Sequence, residues 1–331
     1  VASASRTLTP EGPFLFAESL ARYQHSEDEL INRFDGKVYR RVIETNVAGG
    51  ASRTGGTGGL ALIEAREGAS RTGGAGHTGG KNAAVEMKIR ALGRVSKITA
   101  QAGEAALRHL FAFDLDLGPF YAMARRDRVL APMVKKFRGL RPVRYLTLFE
   151  ALIAAITTQQ VNLTFGGQIR ARVVRRWGEK LHLGGKVHYA FPRPERLARA
   201  RAGTLEKMQF SGRKAEYVLE VARVAAEGGL EGEMFQNLPI EEAIERLTAI
   251  RGVGRWSAEQ ALYRALGRIE ALPGGDLGVQ KVVARYCFGE ERVSEKRARA
   301  AAEGWAPWGA LAAAYLFAAW RAGIPSLSEE G

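Results

Sequence analysis

The stretch Leu247-Thr248-Ala249-Ile250-Arg251-Gly252-Val253-Gly254-Arg255-Trp256-Ser257-Ala258 reads as a helix end, a Gly-Val-Gly turn and the start of a second helix. Glycines let a backbone turn tightly and approach a partner closely, and the free amides at a helix start point outward with the positive end of its dipole. A hairpin of this kind can bind phosphate, although an ordinary helix–helix turn closed by glycine would use the same residues. Asp276 lies 20 residues beyond Trp256, in Leu272-Pro273-Gly274-Gly275-Asp276-Leu277-Gly278-Val279, a loop that leads into a helix. It is the only aspartate after Asp127, in a span that otherwise uses glutamate. A short carboxylate there can cap the helix, and the same position keeps it ionised and firmly held, which suits stabilisation of a developing positive charge. Trp256, at the start of the second helix, suits either a pocket wall or a core.

The elements that must hold these residues come from a chain of 331 residues, long enough for two or three compact units. No window of 18 apolar residues and no leader pattern is found, so the expectation is a soluble intracellular protein. One cysteine, Cys287, excludes an internal disulfide, a cysteine-ligated zinc and an iron–sulfur cluster. The net charge is +14, of which +2 falls in residues 1–118 and +12 in 119–331, the kind of local surplus a polyanion-binding surface needs.

Residues 14–23 and 28–34 read as helices, and 37–44, 60–65 and 85–89 as strands. Between the strands a Gly-rich heptad at 50–56 recurs at 68–74, which reads as connections; Gly80-Lys81 lacks the spacing of a phosphate loop. From about Gly118 the apolar spacing becomes helical, as in Leu148, Leu152, Ile153 and Ile156, and a final helix runs from about 308 to 322. The expected fold is α+β, a small N-terminal antiparallel α/β domain (1–118) followed by a mostly α-helical body. That body comprises 119–265, with the hairpin at about 240–265, and a C-terminal part, 266–331, completing a cleft.

A hairpin of form Leu-x-x-Ile-x-Gly-Val-Gly-x-Trp-x-Ala followed by Asp276 in Pro-Gly-Gly-Asp-Leu-Gly resembles the helix-hairpin-helix superfamily of DNA glycosylases, above all the DNA-3-methyladenine glycosylase II branch. Thr158-Gln159-Gln160-Val161-Asn162, Phe191-Pro192-x-Pro194-Glu195-x-Leu197, Gly212-Arg213-Lys214-Ala215 and Trp305-x-Pro307-Trp308 follow in the order of that branch. The resemblance covers residues 120–323 strongly and 10–115 more loosely.

The resemblance implies extrusion of a damaged base from duplex DNA and cleavage of its N-glycosidic bond, with Asp276 as the catalytic carboxylate. Trp256, Gln260, Phe317 and Trp320 would line the base pocket, although an aromatic stripe on a helix also suits a core. Gln159 and Gln160 would form the wedge that fills the gap in the stack, where some relatives carry leucine; Gln260 stands where some carry tyrosine. Arg251, Gly252, Gly254, Arg255, Arg213 and Lys214 would meet phosphates, and carbonyls of Ala249, Gly252 and Gly254 would hold a Na+ or K+ ion; no other cofactor is implied. Lyase-active relatives place a Schiff-base lysine where this chain has Trp256, so a monofunctional hydrolase acting as a monomer is implied. Two other readings stay open: a glycosylase of the same fold for deaminated or oxidised bases, and a non-catalytic DNA-gripping module, which Asp276 argues against. Lys135-Lys136-Phe137-Arg138 reads as a solvated basic face ahead of a secondary contact.

Overall fold

The computed structural model describes residues 1–24, 28–45, 59–68 and 84–326, so the repeated Gly-rich heptads lie outside the described residues except for Gly68. Five strands, β1 (Ala2–Leu8), β2 (Arg33–Phe34), β3 (Val38–Glu44), β4 (Leu60–Glu67) and β5 (Val85–Ala91), form an antiparallel sheet in the order β1-β5-β4-β3-β2. Strict alternation explains β5: Val85, Met87, Ile89 and Ala91 are buried while Lys88 faces solvent. The first long helix, α1 (Lys97–Leu110), begins where the Ser96 side chain accepts from Thr99 N, and it crosses the sheet at Gly103. A side chain there would lie 2.7 Å from Ile89 Cδ1, so the residue must be small for helix and sheet to touch. Phe14, Phe16, Tyr39, Phe111 and Phe113 fill the adjoining core with edge-on and tilted ring contacts.

The helix expected at 28–34 is not formed. The buried Glu29 carboxylate accepts from the amides of Ile31 and Asn32, which turns the chain, and Arg33–Phe34 pairs with β3. Strand β1, rich in Ser and Arg, and the hairpin of β6 (Lys180–Leu183) and β7 (Lys186–Tyr189) were not expected. Gly184 and Gly185 close that hairpin with φ of +61° and +72°, conformations that favour glycine at both turn positions.

The rest is helical: α2 (Gly118–Ala124), α3 (Leu130–Lys136), α4 (Leu148–Thr158), α5 (Leu163–Trp177), α6 (Gly212–Ala226), α7 (Ile240–Thr248), α8 (Arg255–Ala261), α9 (Leu277–Val283), α10 (Glu295–Glu303) and α11 (Gly309–Arg321), with shorter turns between. Two cores organise them. One joins α4 to α8 through Leu152, Ile153, Val218, Leu247 and Ala258. The other packs Phe120, Leu130 and Met133 of α2 and α3 against Val283, Leu311 and Leu316 of the C-terminal helices. Boundaries at 118/119 and 265/266 therefore cut across the packing, because residues 117–140 share their core with 272–319.

Buried Arg41 on β3 pairs with buried Glu150 in the first turn of α4, and Arg170 on α5 donates to Glu29 at 3.1 Å. Removing one partner of such a buried pair strands a charge and costs about 3–5 kcal/mol, so the N-terminal sheet is firmly tied to the two helices whose facing ends carry Gln159 and Gln160. Among the described residues no helix is long and apolar enough to cross a membrane.

Candidate functional site

Helix α7 starts after Pro239 with Glu241 and Glu242 in its first turn, and α8 starts at Arg255 with Gly254 as its N-cap. The turn between them contains Gly252 at φ +92°, and a Cβ on it would sit 2.1 Å from Tyr217 Cγ. Gly254 is different: its φ is −89° and a Cβ there would meet nothing within 4 Å. The first glycine is thus required by the fold, whereas the second leaves a bare approach to the amides that open α8.

Asp276 is the N-cap of α9 and is half-buried. Its Oδ1 accepts from Gly278 N at 2.8 Å and Val279 N at 3.2 Å; its Oδ2 accepts from Trp256 Nε1 at 3.0 Å and Gln260 Nε2 at 3.2 Å. Four donors fix the carboxylate in place. Hairpin and carboxylate are therefore one unit, since Trp256 and Gln260 lie one turn apart on α8. Phe317 on α11 closes against Gly278, where a Cβ would come within 3.0 Å of its ring. Trp320, 55% exposed, follows one turn later on α11, and Leu277, 59% exposed, adjoins the carboxylate without having been singled out.

The loop bearing Asp276 has a support that the sequence did not reveal. Arg299 on α10 lies beneath Gly274, donates to Leu272 O at 3.1 Å, and pairs with Glu259 on α8, which is 1% exposed. Burial pushes the Glu259 carboxyl up, opposed by Arg299 and Arg255. The helical spacing of Arg299 and Glu295 was legible, but the partner on α8, 40 residues earlier, was not.

The wedge pair divides. Gln159 Nε2 donates to Gly252 O at 3.1 Å and to Ser257 Oγ at 3.0 Å, bracing the end of α4 against the hairpin. Gln160 is exposed, at φ +54°, on the loop that leads to the Asn162 cap of α5. Lys214 Nζ lies 3.4 Å from Thr157 O near the C-terminal end of α4, and desolvation lowers its pKa; Arg213 is exposed. Arg251 pairs with Glu216 at 2.6 Å, and Arg255 with Glu241 at 2.7 Å and Glu259 at 2.9 Å. A hydrogen bond from Arg255 holds Glu241 below the usual carboxylate range. A phosphate meeting either arginine would have to displace or share a carboxylate. Among the carbonyls named for a cation, Gly252 O accepts from Gln159 and Gly254 O from Ala258 N, each through one hydrogen bond.

Residues 153–307 match the HhH-GPD superfamily of base excision DNA repair proteins, and this segment contains the braced Gln159–Gln160 loop, the hairpin and Asp276. That segment of the chain belongs to the superfamily. Within it, the chain is 36% identical over 169 residues to a DNA-3-methyladenine glycosylase of Bacillus subtilis, covering 51% of this chain and 56% of the relative. The chain thus spans just over half the length of that relative. The chain also shares its fold with a 3-methyladenine DNA-glycosylase from Archaeoglobus fulgidus (TM-score 0.75, 24% identity, 96% of this chain and 98% of that one). The 3-methyladenine DNA glycosylase Mag1 of Schizosaccharomyces pombe, solved with abasic DNA, aligns at a TM-score of 0.52 and 26% identity over 61% of this chain and 97% of that one.

Proposed function

We propose that the chain is a monofunctional DNA glycosylase of base excision repair that releases alkylated purines of the 3-methyladenine and 7-methylguanine type from duplex DNA. The observation that carries this reading is the placement of Asp276: a carboxylate held by two backbone amides, an indole N–H and a side-chain amide, next to a hairpin with open amides. A module that only gripped DNA would gain nothing from an anion there, which would oppose the phosphates. The relatives named above are glycosylases of 3-methyladenine, which supports the same class of substrate.

The chemistry follows from the charges. A base inside the stack is out of reach, so the nucleotide must be extruded at a cost of a few kcal/mol, less where alkylation has weakened pairing. Gln160, exposed at the loop tip, would enter the gap, while Gln159 keeps that loop in register with the hairpin. Amides near Gly254 and Trp256, assisted by Arg213, would hold phosphate, which positions the duplex without reading sequence. N-alkylation makes the purine cationic and a good leaving group, so no strong general acid is needed. As the glycosidic bond lengthens, Asp276 stabilises the oxocarbenium-like sugar and orients the water that completes hydrolysis. Trp256, with Phe317 and Trp320, would supply aromatic faces to the cationic base.

No lysine stands where a Schiff base would form; Lys281, the nearest in sequence to Asp276, is exposed on α9. The chain would act as a monomer, inside the cell where the duplex is, and without an organic cofactor. Among the described residues no group donates to Oε1 of Gln260, which favours a second reading, a wider range including deaminated or oxidised bases, because an amide can bond the edge of a neutral base.

The test is release of free bases from methylated duplex DNA, with strand nicks scored before and after alkali. Methylpurine release with nicks only after alkali is expected. Duplex binding without any release would overturn the assignment, and nicks before alkali would overturn its monofunctional part.

The two hairpin glycines separate folding from binding. Gly252→Ala is expected to destabilise the protein by about 2 kcal/mol or more, since both φ and Tyr217 oppose a side chain. Gly254→Ala should leave thermal unfolding within roughly 0.5 kcal/mol of wild type. It should weaken damaged and undamaged duplex binding about equally, by titration. A Gly254→Ala protein that binds normally but does not cleave would remove this position from the phosphate contact.

A further inference from the structure

The arginines at the hairpin are already paired with carboxylates, so the +12 surplus of residues 119–331 must lie elsewhere. The most concentrated part lies between residues 125 and 138, where Arg125, Arg126, Arg128, Lys135, Lys136 and Arg138 face a single acid, Asp127. All six cations are exposed, and among the described residues none forms an ion pair. Asp127 cannot serve them, because its carboxylate is committed to the fold: Oδ1 accepts from Val129 N and Leu130 N, and Oδ2 from Trp305 Nε1.

The fold makes these cations one surface. The apolar sides of α2 and α3 are sunk in a shared core through Phe120, Ala124, Leu130, Met133 and Phe137, which leaves the charged side chains outward. Arg125 donates to Tyr121 O at 3.1 Å and Arg138 lies over the Tyr121 ring at 5.1 Å, so the two ends of the cluster converge on one residue. One or two cations suffice to complement the C-terminal end of a short helix. Six exceed that need, and their mutual repulsion is relieved by a polyanion.

The surface is remote from the carboxylate. Tyr121 reaches Tyr315 of α11, with 3.3 Å between their hydroxyls, whereas Phe317 faces Gly278 and the Asp276 loop. Residues two apart on a helix point about 200° from each other, so the basic surface and the carboxylate lie on opposite sides of α11.

We propose that the surface formed by residues 125–138 is a second duplex-DNA contact, which holds another DNA segment through its phosphates while the hairpin holds the first. It rests on the reading that the chain binds duplex DNA, and it adds a sequence-independent grip. Bound in this way, the protein can pass from one segment to another without full release, because phosphate contacts carry no base identity.

The experiment is a bridging assay with undamaged duplexes, so that its outcome does not depend on base release. One duplex is fixed to beads, the full chain is bound to it, and retention of a second, labelled duplex is measured across a salt series. The variant is R126Q/R128Q/K135Q/K136Q, which changes four exposed side chains and spares the two that touch Tyr121; unchanged thermal unfolding verifies its fold. Wild type is expected to retain the second duplex. The variant should bind the first duplex as before, lose about 10-fold or more of the second, and flatten the log–log salt dependence of second-duplex retention by about 2–4, at roughly 0.9 for each phosphate no longer neutralised. Unchanged retention by the variant would overturn the proposal, because bridging would then come from paired copies of the chain. Equal loss of both duplexes would also overturn it, since the surface would then be the primary contact. So would loss of binding to vesicles of anionic lipid with duplex retention intact. Failure of wild type to bind even the first duplex would overturn the proposed DNA activity along with this inference, whereas failure to release methylpurines would leave the bridging result standing.

Discussion

Asp276→Asn is expected to lower the maximal rate of methylpurine release by roughly 10²–10³-fold or more, the size of effect seen when a preorganised electrostatic partner of a transition state is removed. The substitution keeps the shape of the side chain and its ability to cap α9, because asparagine caps a helix about as well as aspartate. Its amide oxygen can take the place of Oδ1 and accept from Gly278 and Val279. The amide nitrogen must then occupy the place of Oδ2, facing the Trp256 indole N–H and the Gln260 amide. Gln260 can rotate its amide to offer an oxygen, but the indole cannot become an acceptor, so one donor is left facing another. Such a mismatch costs about 1–3 kcal/mol. A modest fall in stability should therefore accompany the large fall in rate, with duplex affinity kept or raised because a negative charge has gone. Single-turnover release at saturating enzyme, a melting curve and a duplex titration check the three parts. If Asp276→Asn released base at the wild-type rate, the carboxylate would be only a helix cap.

The hairpin and Asp276 were legible because glycine, tryptophan and a single late aspartate each have few uses at such spacing. Their joining was not: the Trp256–Asp276 hydrogen bond closes over 20 residues and depends on how α8 and α9 pack. Charge was misleading for the same reason. Arg251 and Arg255 look free in the sequence, yet Glu216 and Glu241 reach them from other helices. The pairing of residues 117–140 with the C-terminal helices was hidden because an amphipathic helix advertises an apolar face without naming its partner. Gly184-Gly185 between alternating residues was a readable hairpin signal that the helical surroundings obscured. Glu29 shows the opposite limit, since a buried carboxylate gathering two amides overrides the local preference for a helix.

Trp256 has two separable tasks, and a pair of substitutions should divide them. Its indole N–H holds Oδ2 of Asp276 at 3.0 Å, while its ring is available to the extruded base. Trp256→Phe keeps an aromatic face and removes the donor, leaving Gln260, among the described residues, as the only side-chain donor to that oxygen. Losing one hydrogen bond to a charged group costs about 1.5–3 kcal/mol, so release should slow by roughly 10- to 150-fold on every substrate, cationic or neutral. Trp256→Ala removes the ring as well, and a cation over an aromatic face gains about 0.5–2 kcal/mol. Beyond the loss shared with Trp256→Phe, cationic 3-methyladenine or 7-methylguanine should therefore suffer about 2- to 30-fold more than a neutral damaged base such as hypoxanthine. The comparison uses ratios of kcat/KM within each variant, which cancel any general disturbance of the pocket. If Trp256→Ala slowed cationic and neutral bases by the same factor, the ring would not be selecting for charge. Its place beside Asp276 would then be explained by the N–H alone.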